Sequence, residues 1–211
     1  MIPGMKPVAR FLFSIGTVLA LLCVGAVNLR AQDPPTITIR KSDSVNVALR
    51  TIGGSQGAEV TRVLQNDFQI AGSVQITPAD RAGFVISGSA DGGRMQGTVQ
   101  DQRGSNVLSK TYSGSPRSMA HQFADDIVET LTGNRGIATS KIAFVSDRSG
   151  RKEIYIADYD GANVQQLTRD NAISVAPALS PDGKRLAYTG YQSGYADIYV
   201  IDLVSGSRRA I

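Results

Sequence analysis

His121 is the single histidine of this 211-residue chain, and a search for chemistry starts there. An imidazole could serve as a general base or a metal ligand. A metal site of the usual kind wants a second histidine or a cysteine, and neither is available to complete one. The one cysteine, Cys23, lies within the apolar N-terminal segment and follows Leu22, not the small residue that a lipid-attachment site requires. Without that segment the chain carries no thiol, so disulfides and cysteine catalysis are excluded. His121 sits beside the Met119–Phe123 stripe of a predicted helix and reads as a flank residue that packs or hydrogen-bonds at a domain boundary.

The carboxylates fare no better as catalysts. Asp125 and Asp126 are neighbours, and adjacent helical side chains diverge by about 100°, so they cannot converge on one substrate. They read as a solvated helix face. Asp147, Asp158, Asp160, Asp182 and Asp202 each stand in or beside a turn, where Asp bonds its own backbone. "DYDGAN" falls short of a calcium loop. "GSPRS" and "DGGRMQG" lack the Lys-Ser/Thr of a phosphate loop, and no Gly-x-Ser-x-Gly elbow occurs. The expectation is therefore a protein with no catalytic, cofactor-binding or metal-ligating residues. Five tyrosines remain of interest: Tyr155, Tyr188, Tyr191, Tyr195 and Tyr199. Tyr155 and Tyr199 recur at one repeat position and are expected to pack between repeats. Tyr191 and Tyr195 flank a "QSG" turn and suit either ordinary hairpin packing or a protein interface.

The elements that hold these residues can be read along the chain. Residues 1–31 carry Lys6 and Arg10, then an uncharged run from Phe11 to Leu29, then small residues, which is the layout of a secretory signal peptide. Cleavage is expected after Ala31, with Ala26 as the alternative. Without this segment the charge is 19 basic against 18 acidic residues, so the basic balance of the whole chain gives no reason to expect nucleic acid. Residues 34–138 mix alternating strand patterns ("TITIR", "SVNVAL", "GFVISGSAD", "RMQGTVQDQ", "SNVLSKTYS") with two helical ones. The first helix places Val60, Val63, Leu64 and Phe68 on one face. The second has Ser115 as N-cap, Pro116 at its first position, an apolar stripe at Met119, Phe123, Ile127 and Leu131, and Gly133 as stop signal.

From Lys141 the pattern changes to short strands that repeat at an offset of 44 residues: Ile142 with Leu186, Phe144 with Tyr188, Ile154 with Ile198, Tyr155 with Tyr199. A period in the forties built from strands and turns predicts β-propeller blades. Blade 1 spans 141–168 and has three strands; blade 2 spans 176–211 and has four. A ring needs at least four blades, so the expectation is a piece of a longer protein, with completion by other chains as the alternative. The fold class expected is an α+β N-terminal domain, two helices on a small mixed sheet, followed by an incomplete all-β propeller.

The run "RSMAHQFADDIVETLTGNRGIATSKIAFVSDRSG" and the later "SPDGKRLAYTG" resemble the TolB family. Ala120-His121, Ala124-Asp125, Leu131-Thr132-Gly133 and the immediate entry into "KIAFVSDR" carry the likeness, which is strongest over 115–211. The resemblance implies a small α/β domain followed by a six-bladed propeller, of which this chain holds a third or less. It implies a periplasmic, non-enzymatic adaptor without cofactor, not inserted in the membrane after signal cleavage. It implies two partners: the peptidoglycan-associated lipoprotein, bound through the propeller, and a TolA-like inner-membrane protein, engaged by the mature N-terminal segment. Such a system keeps the outer membrane attached and constricting during division. Candidate partner-contacting residues are Gln32, Asp33 and Thr36 at the mature start and Tyr191 and Tyr195 on the blade rim. The start itself, "QDPPTITIR", gives no clear match to a TolA-binding motif. The rival reading is an accessory propeller of a larger secreted hydrolase, such as a serine peptidase, with its catalytic domain beyond residue 211.

Overall fold

Alternating Val and Asn or Ala residues make the first strand, β1 (Val45–Leu49), in a computed structural model that describes residues 44–211. The expected signal segment, the "TITIR" strand and Gln32, Asp33 and Thr36 lie outside the described residues. Helix α1 (Gly57–Ala71) follows and buries Val60, Val63, Leu64 and Phe68, the face expected from their spacing. Gly72 ends it in a left-handed conformation, φ 66°, with its N–H returned to the carbonyl of Phe68. The chain then runs through β2 (Val74–Ile76), β3 (Phe84–Asp91), β4 (Arg94–Asp101), β5 (Asn106–Ser113) and α2 (Pro116–Thr132).

The sheet order is β2-β1-β3-β4-β5. β1 runs parallel to both β2 and β3, while β3, β4 and β5 form an antiparallel meander through the turns at Asp91-Gly92 and Arg103-Gly104. The parallel pairings follow from connectivity, because α1 is the crossover between β1 and β2. β2 is absent from the sequence reading: three residues are too few to show an alternation.

Ile86, Met95 and Val99 from the sheet meet Phe68, Met119, Phe123 and Ile127 from the helices in one core. Gly97 sets how closely α2 lies on β4: a Cβ there would stand 2.7 Å from the Phe123 ring. Tyr112 of β5 closes against the same ring at 5.4 Å. α2 begins as its sequence announces, with the Ser115 hydroxyl accepting from the Ser118 N–H and Pro116 at the first turn.

Two antiparallel sheets follow. The first is β6 (Lys141–Ser146), β7 (Glu153–Asp158) and β8 (Gln165–Gln166); the second is β9 (Ser174–Leu179), β10 (Arg185–Gly190), β11 (Asp197–Asp202) and β12 (Arg208–Ala210). The repeat in sequence is also one of geometry. Phe144 stacks on Tyr155 at 5.8 Å and 22°, and Tyr188 stacks on Tyr199 at 5.5 Å and 24°. Each tyrosine thus stacks across its own hairpin, and both are buried. Ile154 and Leu186 belong to one buried cluster that spans the two sheets and are fully buried, whereas their repeat partners Ile198 and Ile142 are 48% and 44% exposed. Among the described residues no helix is long and apolar enough to cross a membrane.

Gly97→Ala forces a methyl group into the Phe123 ring. It is expected to lower unfolding free energy by roughly 1–3 kcal/mol, read as a reduced urea midpoint at unchanged slope. An unchanged midpoint would mean that α2 rides freely on the sheet.

Candidate functional site

α2 carries two stripes. Met119, Phe123, Ile127 and Leu131 face the sheet. Arg117, His121 and Asp125 repeat at the same spacing of four, and two residues turn a helix by about 200°, so this polar stripe lies on nearly the opposite side. It faces the turn between β7 and β8 and the linker that leads into β6, and it forms the seam between the α/β layer and the first blade.

Arg117 reaches Asp160 in that turn through a charge-assisted hydrogen bond from Nη2, and its Nε lies 3.8 Å from Asp158 Oδ2. Asn66 of α1 donates to the same Asp160 oxygen at 3.4 Å. Asp158 also accepts from Lys141 Nζ and from Asn163 Nδ2. Burial works against charge on both aspartates. For Asp158, the hydrogen bonds from Lys141 and Asn163 outweigh it; for Asp160, those from Arg117 and the Ala162 N–H do. Both carboxyls are held below the ordinary carboxylate range. These two aspartates therefore do more than close their own turn. Asp182 and Asp202 behave as expected, accepting backbone N–H groups of Lys184, and of Val204 and Ser205.

His121 is 5% exposed, with Nδ1 2.8 Å from Asp67 Oδ2 on α1. Asp67 is 1% exposed; burial pushes its carboxyl up, and the hydrogen bond from His121 offsets this only in part. A carboxylate that orients an imidazole is two-thirds of a catalytic triad. Among the described residues no third member completes it: Nε2 of His121 has no hydrogen-bond partner there. Asp67 was legible in principle: it falls seven residues after Val60 and three after Leu64, an acid on an apolar face. Arg117 had a signal too, since a cation in the first turn of a helix opposes the dipole and needs a partner.

The solvated face expected for Asp125 and Asp126 is corrected. The two do diverge, but both are engaged. Asp125 accepts from the Ala138 and Thr139 N–H groups at 2.6 and 3.0 Å and from the Thr139 hydroxyl at 2.6 Å, so it pins the linker. Gly136 lets that linker press against the helix, because a Cβ there would fall 2.3 Å from the Asp125 Cα. Asp126 accepts from Lys110 Nζ and the Tyr112 hydroxyl, each at 2.7 Å. Burial and this acceptor push the Tyr112 phenol well above its ordinary range.

A second polar staple joins the blades. Arg208 donates to Asp170 at 2.6 Å and to the Tyr188 hydroxyl at 3.0 Å, and Tyr188 donates to Asp170 at 3.2 Å. Burial, with Asp170 beside it, pushes the Tyr188 phenol up to about 12. Tyr191 and Tyr195, at the connection between β10 and β11, are 41% and 80% exposed. They leave aromatic surface exposed.

A family model described as the TolB beta propeller domain matches residues 128–211. The Tol-Pal system protein TolB of Geobacter sulfurreducens is 33% identical over 211 residues, covering 81% of this chain and 48% of that protein. A protein TolB homolog of Chlorobium luteolum is 52% identical over 100 residues, covering 46% of this chain and 23% of that one. The chain thus spans about half or less of the length of these relatives. The crystal structure of TolB from Acinetobacter baumannii superposes with a TM-score of 0.69 at 22% identity, over 81% of this chain and 50% of that one, which speaks to the fold.

Removing the guanidinium leaves Asp160 without its counter-charge in a mostly buried seam, while Asp158 keeps Lys141. Arg117→Gln is expected to cost roughly 2–4 kcal/mol of unfolding free energy at pH 7. The Asp160 carboxyl, held down by Arg117, has a folded pKa below the ordinary 3.8, so the stabilisation from this pair is complete above that value and is lost as pH falls through the folded pKa. Urea titrations at pH 7, 5 and 3 should show the gap between the two proteins narrowing only below about pH 4. A gap independent of pH would remove the charge pair from the account.

Proposed function

We propose that this chain, which belongs to the TolB family, serves as a periplasmic protein-binding scaffold of the Tol–Pal envelope system and supports outer-membrane integrity and constriction during cell division. The observation that carries the reading is the junction: a helix whose polar stripe grips the first blade, in a stretch shared with relatives named as Tol-Pal system proteins. A scaffold needs rigid surfaces held at fixed angles more than it needs reactive groups, and the ion pairs and hydrogen bonds of this seam hold one element against another. His121 and Asp67, the pair nearest to catalysis, are turned toward each other across the two helices, and the relatives matched are named as Tol-Pal system proteins.

The partners proposed are the peptidoglycan-associated lipoprotein and a TolA-like inner-membrane protein. The blade rim with Tyr191 and Tyr195 is proposed for the lipoprotein, since exposed tyrosines supply large contact area at low entropic cost. Gln32, Asp33 and Thr36 are proposed for the TolA-like protein. Calorimetric titration of this chain with the soluble domain of the lipoprotein from the same genome is expected to show saturable binding. The double variant Tyr191→Ala, Tyr195→Ala should weaken it at least tenfold without changing the melting temperature. Binding unaffected by the double variant would move the interface elsewhere, and no binding at all would sink the reading for this chain.

A further inference from the structure

Three buried ligating side chains converge on the seam from three different elements: Asp67 from α1, His121 from α2 and Asp160 from the turn between β7 and β8. One donor atom from each lies within 4.8 Å of the others. The geometry points to a binding site for a divalent first-row transition ion of the zinc class, held by one imidazole and two carboxylates, that ties both helices to the first blade. This inference is independent of the partners proposed above.

The donor set suits such an ion, since structural and catalytic zinc sites mix imidazole with carboxylate. The second observation is the unfinished pairing. Asp67 Oδ1 is buried and has no hydrogen-bond partner, on a side chain only 1% exposed that already meets His121. A buried carboxylate oxygen without a donor is costly, and native structures rarely leave one so. Tetrahedral ligand atoms at zinc bond lengths stand roughly 3.3–3.6 Å apart. The His121 Nδ1 and Asp67 Oδ2 atoms stand 2.8 Å apart and the three donor atoms lie within 4.8 Å of one another, a spread that brackets those separations, and an ion taken by both Asp67 oxygens would satisfy Oδ1 as well. The ion would take the place of the proton shared between His121 and Asp67.

Arg117 is the obvious competitor, because its guanidinium already sits on Asp160. It has a second carboxylate within reach, however: its unpartnered Nε is 3.8 Å from Asp158 Oδ2. An ion on Asp160 would leave Arg117 paired with Asp158. The Asp160 oxygens otherwise meet only the Asn66 side-chain amide and the Ala162 N–H, both neutral donors. A second histidine or a cysteine is not required when carboxylates complete the set. The ligands supplied here are aspartates, one of them 54 residues from the histidine.

The untagged full chain, stripped with EDTA, is titrated with Co²⁺ by visible absorption and with Zn²⁺ by calorimetry at pH 7.5. The expected result is one ion per chain, with the melting temperature raised by roughly 5–10 °C at a hundred times the Kd. Asp160→Asn and His121→Gln should each weaken uptake at least tenfold. If His121→Gln fails to fold by circular dichroism, Asp160→Asn, on a turn, decides alone. Absence of saturable uptake overturns the proposal. So does uptake that Asp160→Asn leaves unchanged, which would place the ion elsewhere.

Discussion

The guanidinium of Arg117 stands between two aspartates that belong to a different layer of the structure, and the arrangement of everything C-terminal to α2 hangs on it. Charges taken from water must be paired closely, because the desolvation cost is several kcal/mol per ion and only good geometry recovers it. That demand makes the contact directional where an apolar contact would slide. Asp158 ends β7 and Asp160 lies in the turn that follows, so a single planar cation hydrogen-bonded to Asp160 and 3.8 Å from Asp158 bears on both the strand end and the turn. Asp125 then fixes the linker through two backbone N–H groups. The blade is held by its turn and by its lead-in strand at once.

Apolar packing does the complementary work on the other side of the same helix. Phe123 lies on Gly97 of β4, a position where only a missing side chain gives room. The helix is thereby seated on the sheet before its polar face meets the blade, and the two faces need not compromise. Between the blades the division is similar: Ile154 and Leu186 supply buried area, while Arg208, Asp170 and Tyr188 supply direction.

Local signals were legible in the sequence and non-local ones were not. The cap at Ser115, the stop at Gly133, the hairpin turns at Gly92 and Gly104 and the 44-residue repeat all depend on residues close in the chain, and the structure has them where the patterns place them. β2 was invisible because its identity as a strand comes from pairing with β1, not from its three side chains. The role of Asp125 was misread for a related reason. Helix geometry fixes the angle between Asp125 and Asp126, but the returning linker that engages Asp125 is fixed only by the tertiary fold. Asp67 and Arg117 each broke a local rule, an acid on an apolar face and a cation at a helix start. Such violations mark places where a distant partner is waiting, and both residues have one.

The two-sided stripe on α2 carries a consequence for how this segment can vary over evolutionary time. Substitutions at any one position weaken one contact and leave the others in phase. A single-residue insertion or deletion between Arg117 and Asp125 would rotate one part of the helix against the other by about 100°, so that the sheet and the blade could not both be satisfied. The helix behaves as a keyed shaft: its composition can drift, but its length between the two couplings cannot. Length polymorphism in homologous chains belongs in the hairpin turns, and a frame of fixed spacing from 117 to 125 is the trace this mechanics leaves in sequence.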